Sequence, residues 1–239
     1  MKSGPATGPC VAVLPARGGS KRIPRKNLRD FCGMPMLSWP ITTALESRCF
    51  DRVIVSTDDE EIAQVARGLG AEVPFLRPTE LADDYTPTLP VIVHAIETLT
   101  DQGVEPAMVC CLYPTAAFVQ AEDLRRGMEI LLAEGCDYAV SVTDYAYPVQ
   151  RALRVTEAGR IAMALPEYLA TRSQDLPLRL HDAGQFYWGR TAAWTAGKAL
   201  LSDAAAPVLL PRHRVQDIDT EQDWERAEWL FRAMRAVGQ

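Results

Sequence analysis

The sequence predicts an α/β fold in which a mostly parallel, twisted sheet is flanked by helices. Three observations lead there. Short, continuously apolar runs such as Cys10-Val11-Ala12-Val13-Leu14 and Val53-Ile54-Val55 read as strands covered on both faces. Segments with helical spacing alternate with them, which is the pattern of βαβ units. That rhythm holds up to Thr143, breaks over residues 144–185, and then resumes.

The first strand runs into a glycine-containing basic loop, and Pro35 then stands near the start of a helix over 36–46, where a missing N–H is tolerated. Val53 to Thr57 form a second strand, followed by Asp58-Asp59-Glu60-Glu61. Carboxylates in a first helical turn favour the positive end of the helix dipole, so a helix runs on through Ile62-Ala63-Gln64-Val65-Ala66 to a C-cap at Gly70. Residues 71–76 read as a third strand, 90–100 as a helix, 107–112 as a strand, 121–133 as a helix and 137–142 as a strand. Residues 151–155 and 160–165 flank Thr156-Glu157-Ala158-Gly159, which predicts a β-hairpin with glycine in its turn. An irregular, polar stretch follows over 166–185, read as an insertion that covers a site or mediates subunit contact. Phe186-Tyr187-Trp188 re-enters regular structure, with a short helix near Thr191 and a strand over 208–210. The last helix starts at Thr220, a good N-cap with Asp223 three residues on. Its Trp224, Ala227, Phe231 and Met234 recur at helical spacing and read as core. The organisation expected is a flexible tail over 1–9 and one domain over 10–239, with 144–185 as an insertion inside it.

A chain of 239 residues, 48% apolar and 23% charged, has the composition of a globular protein with a real core. A formal net charge of −6 speaks against a general nucleic-acid binder. No apolar stretch approaches the length that spans a membrane, and residues 1–9 lack the apolar region of a signal peptide. The six cysteines (Cys10, Cys32, Cys49, Cys110, Cys111 and Cys136) contain no Cys-x-x-Cys pair, so reduced thiols in the cytoplasm are expected. Cys110-Cys111 reads as core, with nothing basic nearby in sequence to activate a thiolate.

The loop from Pro15 to Asn27 carries most of the functional signal. It places Arg17, Lys21, Arg22, Arg25 and Lys26 around the adjacent glycines Gly18 and Gly19. Glycine lets a backbone approach a ligand closely, with N–H groups free to face an anion, and the cations supply the charge a polyphosphate needs. A solvated basic turn is the plainer reading, but the loop follows a buried strand, and ligands of open α/β sheets sit outside the strands' carboxyl ends. Neither a Walker A order nor a Gly-x-Gly-x-x-Gly fingerprint is present. The loop therefore predicts a nucleotide-phosphate site of another type.

Near the other end, Val215-Gln216-Asp217-Ile218-Asp219-Thr220 puts two carboxylates two residues apart in an extended segment. That spacing sends both to one face and Ile218 to the other. Such a pair suits Mg²⁺, which takes carboxylate oxygens and shares its remaining positions with water and substrate phosphates. Spacing alone leaves equally open that Asp219 caps the last helix and Asp217 is merely solvated.

Together these motifs resemble the CMP-nonulosonic acid synthetases, the acylneuraminate cytidylyltransferase family. The first loop is similar to that family's signature through Pro15-Ala16-Arg17, Ser20-Lys21 and Pro24-Arg25-Lys26-Asn27. Val55-Ser56-Thr57-Asp58, Arg77-Pro78-Thr79-Glu80-Leu81-Ala82 and Asp217-Ile218-Asp219-Thr220 resemble further motifs in the same order. Phe31-Cys32-Gly33, Arg172-Ser173-Gln174-Asp175-Leu176-Pro177 and His181-Asp182-Ala183-Gly184-Gln185-Phe186-Tyr187-Trp188-Gly189 resemble the branch that handles pseudaminic acid. Where sialic acid enzymes carry Leu-Gln-Pro-Thr-Ser-Pro, this chain has Leu112-Tyr113-Pro114-Thr115-Ala116-Ala117 and so lacks the sugar-side glutamine.

The resemblance implies a Rossmann-like nucleotidyltransferase fold and a reaction joining CTP to the anomeric hydroxyl of a nonulosonic acid, most closely pseudaminic acid, with release of pyrophosphate. It implies that Arg17, Gly18, Gly19, Ser20, Lys21 and Lys26 hold the triphosphate and Asn27 the ribose, and that Arg77 and Thr86 read cytosine. Arg17 and Lys21 would steady the leaving charge, and Asp217 and Asp219 would carry Mg²⁺. Gln150, Arg151, Arg172, Gln174, His181, Gln185 and Tyr187 supply the donors, cations and aromatic face that a sugar acid requires. His181 reads equally as a general base or as a structural histidine, whereas His94 reads as packed and His213 as surface. A homodimer with the insertion reaching across is the assembly implied. The alternatives are the same reaction with legionaminic, sialic or 3-deoxy-manno-octulosonic acid, or a CTP-binding homologue without turnover.

Overall fold

A computed structural model of the chain describes residues 8–133 and 135–237, so residues 1–7 of the expected tail lie outside the described part. Strand β1 (Cys10–Pro15) is followed by the short antiparallel pair β2 (Asp30–Phe31) and β3 (Met34–Pro35), then helix α1 (Ser38–Ser47). Strand β4 (Arg52–Ser56), α2 (Glu60–Gly68), α3 (Thr88–Asp101), β5 (Met108–Leu112), α4 (Ala121–Ala133) and β6 (Tyr138–Asp144) continue the alternation. The hairpin β7 (Leu153–Val155) and β8 (Ile161–Met163) interrupts it, before β9 (Leu180–Arg190), α5 (Thr191–Thr195), β10 (Ala205–Leu209) and α6 (Glu221–Ala236). Six strands form the central sheet in the order β10-β6-β9-β5-β1-β4. All its pairings are parallel except those of β9, which runs antiparallel to both β5 and β6.

Both faces of β1 are buried, as its unbroken apolar run requires. Ala12 and Leu14 pack with Leu37 and Ile41 of the α1 region, while Val11 and Val13 pack with Ile92, Ala95 and Leu99 of α3. A third cluster joins Ile23, Phe31, Ile218, Trp224 and Phe231, so α6 closes over the first loop. Its N-terminus carries the expected capping box: Asp223 N donates to Thr220 Oγ1 (3.2 Å) and Thr220 N to Asp223 Oδ2 (2.9 Å).

Two expectations need correction. Residues 71–76 do not form a strand; only Glu72 and Leu76 make isolated parallel bridges, to Ile54 and Thr57. Pro74 stands between them, and its missing N–H interrupts a continuous ladder. The irregular stretch also ends sooner than expected, because β9 already begins at Leu180. The register of β9 against β6 shifts between Val140 and Val142, a bulge that passes residues 183–185 with Gly184 in the left-handed region (φ 59°). Among the described residues, no helix is long and apolar enough to cross a membrane.

Because five strands point the same way, their carboxyl ends share one edge of the sheet. The loops after β1, β4, β5, β6 and β10 converge there, joined by the first half of antiparallel β9.

Candidate active site

Residues 16–29 run along that edge as a series of turns tied down from several sides. Ala16 N donates to Ser56 O (2.9 Å), Asn27 Nδ2 to Arg17 O (2.9 Å) and Leu37 N to Asn27 O (3.0 Å). Ile23 is fully buried beneath the loop, while Lys21 and Arg22 remain exposed. The two glycines differ. A Cβ on Gly18 would lie 2.6 Å from Asp59 Oδ2, so the protein's own packing requires glycine there. A Cβ on Gly19 would meet no atom within 4 Å, leaving its backbone approachable by a ligand. Arg25 adopts the left-handed region (φ 55°) and pairs with Asp59 and Glu61 at the start of α2. That partner holds the Asp59 carboxyl below the usual carboxylate range, and Asp59 also caps α2 by accepting from Ile62 N (3.0 Å).

A cavity of about 460 Å³ opens above the loop, lined among others by Arg17, Ser20, Lys21, Lys26, Asn27 and Thr115. Its cations are answered from a second loop. The Asp84 carboxylate is held between Arg17 Nη1 (2.6 Å) and Lys21 Nζ (2.5 Å), and these two partners keep its pKa low. A carboxylate held by a guanidinium and an ammonium occupies the kind of place that phosphate oxygens take.

A second cavity, about 730 Å³, adjoins the first and shares Lys26, Tyr113 and Thr115 with it. Asp217 and Asp219 both line it, while Ile218 between them is buried under α6, as the two-residue spacing requires. Asp219 does not cap the helix; Thr220 does, and Asp219 instead pairs with Arg22 (2.9 Å) and Lys26 (3.5 Å). Burial, with the nearby Asp219 charge, raises the Asp217 pKa above the ordinary aspartate value. Lys26 donates to Ile218 O (2.7 Å), and its burial lowers the lysine pKa against the opposing pull of Asp219. Among the described residues, no group of three or more histidine, cysteine or carboxylate side chains gathers as a metal cage. The Asp217–Asp219 pair is therefore a two-ligand wall, which fits a magnesium ion that keeps water and phosphate in its remaining positions.

His181 and Tyr187 of β9 also face this second cavity. Tyr187 OH donates to Asp182 Oδ2 (2.5 Å), and burial raises its pKa. His181 Nδ1 lies 2.8 Å from Asp182 O, and its ring meets Tyr145 edge-on at 4.9 Å. The remaining expected residues stand elsewhere. Gln185 is buried behind the wall and donates to Arg214 O. Gln150 donates to Pro177 O (2.7 Å) and Arg151 to Thr171 O (2.5 Å), inside the insertion. Arg172 pairs with Asp175 (2.8 Å), and Gln174 is exposed beside them. None of these five lines either cavity of its own chain. Arg77 is buried and bonds Ser56 through its side-chain oxygen (3.1 Å) and its carbonyl; burial lowers its pKa to about 10. Thr86 donates to Asp83 Oδ1 (2.6 Å) and also lies outside the cavity lining.

Sequence reasoning missed Asp84, Thr115, Asp144, Arg212 and Arg226, all of which line the cavities. For Asp84 a signal existed, since Asp83-Asp84 follow directly on a recognised motif. Thr115 stands within the Leu112–Ala117 segment and Arg212 five residues before Asp217, whereas Asp144 and Arg226 come from a strand end and a helix where nothing local marks them.

Comparison with known proteins agrees with this geometry. A family model described as Cytidylyltransferase matches residues 11–182. A pseudaminic acid cytidylyltransferase of Campylobacter jejuni subsp. jejuni serotype O:2 is 41% identical over 222 residues, covering 93% of this chain and 96% of that protein. A CMP-N,N'-diacetyllegionaminic acid synthase of Legionella pneumophila is 32% identical, covering 92% of this chain and 95% of that one. Among solved structures, CMP:2-keto-3-deoxy-manno-octonic acid synthetase complexed with CTP superposes with a TM-score of 0.68 at 18% identity, covering 94% of this chain and 98% of the other. With a matching model over most of its length and relatives aligned nearly end to end, the chain belongs to the cytidylyltransferase family.

Proposed function

We propose that this protein joins CTP to the anomeric hydroxyl of a nonulosonic acid, pseudaminic acid first among them, and releases pyrophosphate. One observation carries the reading. A cationic cavity built on the 15–27 loop opens into a second cavity walled by two carboxylates, with Lys26 belonging to both. The 41% identity to a pseudaminic acid cytidylyltransferase over nearly the whole chain supports the choice of sugar.

In this reading Arg17, Ser20, Lys21 and Lys26 hold the triphosphate, with Gly18 and Gly19 bringing the backbone near it and Asn27 beside the ribose. Arg77, near enough to Arg17 to feel its charge, and Thr86, two residues from Asp84, stand towards the cytosine end. The sugar's hydroxyl, held in the second cavity, attacks the α-phosphorus in line, and pyrophosphate leaves opposite. Such a step is promoted by positioning and by charges placed where negative charge grows, and it needs no covalent protein intermediate. Lys21 and Arg17 steady the departing pyrophosphate. Asp217 and Asp219 would hold Mg²⁺, which would supply neutralisation of the phosphate charge. Asp219, tied to Arg22 and Lys26, keeps that wall in register with the basic loop.

A homodimer fits the insertion. Its hairpin exposes Leu153, Val155 and Ile161, and the following stretch Leu169 and Leu178. Arg151, Arg172 and Gln174, which miss their own chain's cavities, would then be placed to reach the partner's sugar. The free thiols Cys10, Cys32, Cys49, Cys110 and Cys111 support a reducing, cytoplasmic setting.

The test is pyrophosphate release with CTP, Mg²⁺ and a panel of nonulosonic acids. Release with pseudaminic acid in preference to the others is the expected result. Release with legionaminic, sialic or 3-deoxy-manno-octulosonic acid alone would move the substrate, and silence in folded, CTP-binding protein would overturn the enzymatic reading.

A further inference from the structure

We infer that Arg226, on the second turn of α6, receives the carboxylate of the sugar acid. The inference rests on the reading that the second cavity takes a nonulosonic acid. That cavity is lined by four carboxylates, Asp144, Asp182, Asp217 and Asp219. An incoming carboxylate meets repulsion there unless a cation remains to receive it.

Three strong cations line the cavity, Lys26, Arg212 and Arg226. Lys26 is engaged by Ile218 O and Asp219. Arg212 is engaged by Asp144 (Nε to Oδ1, 3.0 Å). Arg226 alone of the three makes no ion pair or hydrogen bond among the described residues; Asp223, whose charge it feels, turns Oδ2 to the capping box, where that oxygen accepts from Thr220 N and Thr220 Oγ1. Its guanidinium is therefore available, with a planar fork that matches a carboxylate bidentately.

Position agrees with chemistry. In a 2-ulosonic acid the carboxylate and the anomeric hydroxyl are bonded to the same carbon. The cation that takes the carboxylate must then stand beside the group that receives the hydroxyl. Arg226 projects from the helix that begins directly after Asp217 and Asp219, and it lines the same cavity as they do. Seating the carboxylate on Arg226 aims the hydroxyl at the Asp217–Asp219 wall and the phosphates beyond Lys26.

The experiment is steady-state kinetics on Arg226→Met, which keeps the side chain's apolar stem, and on Arg226→Lys, which keeps the charge without the fork. Loss of a charged hydrogen-bonded contact predicts a sugar-acid KM raised about 10- to 100-fold in Arg226→Met, with a smaller rise in Arg226→Lys and an unchanged KM for CTP. The sugar's methyl ester should show no difference between wild type and Arg226→Met, because the charge that Arg226 reads is gone. An unchanged sugar KM in Arg226→Met, with wild type active, overturns the assignment of Arg226 alone. A wild-type protein silent with every nonulosonic acid overturns the function reading and this inference with it.

Discussion

The two adjoining cavities are built in opposite ways. The first draws most of its cations from one stretch of thirteen residues, 15–27, held between β1 and α1. The second gathers residues from the ends of β5, β6 and β9, the segment after β10, and α6. In the first, charge is concentrated and then answered by one anion, Asp84, which bridges Arg17 and Lys21. In the second, anions outnumber cations, and two of the three cations are already paired. In the proposed reading a polyphosphate would meet cations released from one carboxylate, whereas a sugar acid would find, among the described residues, one lining guanidinium outside any ion pair. Contiguity gives the nucleotide side a shape set by local bonds, and dispersal makes the sugar side depend on how the whole sheet edge is assembled.

The sharpest way to break this contrast is at Lys21. Its side chain is 82% exposed and makes one ion pair, so Lys21→Ala should leave thermal stability near wild type. Turnover should fall about 10²- to 10³-fold if the residue meets charge that develops in the transition state. Wild-type turnover would remove Lys21 from the chemistry and leave the loop as a docking surface.

On the sugar side, Asp219→Asn should raise the Mg²⁺ concentration needed for half-maximal activity about tenfold or more. The pH dependence has a definite sign. Burial and the Asp219 charge raise the Asp217 pKa, so protons compete with metal at a higher pH than for an ordinary aspartate. The Mg²⁺ requirement should climb as pH is lowered, and earlier than the solution pKa of aspartate would suggest. Titrations of activity against Mg²⁺ at several pH values check both statements, and a metal requirement indifferent to Asp219 would return that residue to a purely structural role.

The smallest effect should come from Asp84→Asn. Removing the internal anion frees Arg17 and Lys21, and because solvent-screened ion pairs are weak, CTP should bind only about fivefold more tightly. Calorimetric titration reads this directly. Weaker binding would show that Asp84 contributes to the nucleotide complex and does not compete with it.

Much of this protein was settled by local sequence. Unbroken apolar runs required buried parallel strands, Thr220 and Asp223 required the α6 start, and Asp217-Ile218-Asp219 required two carboxylates on one wall. The basic loop was legible for the same reason: its chemistry lies within a few residues, where backbone geometry alone controls which groups meet. Tertiary structure decided the rest. Pro74 broke an expected strand, β9 entered the sheet antiparallel with a bulge at residues 183–185, and Gln150, Arg151, Arg172 and Gln174 turned away from their own chain's cavities. Only the assembled sheet edge brought Asp84 onto Arg17 and Lys21, and left Arg226 without an ion pair among the described residues beside Asp217 and Asp219. Asp84 meets loop residues more than sixty positions before it, and such a pairing depends on strand order and register, which no short stretch of sequence encodes.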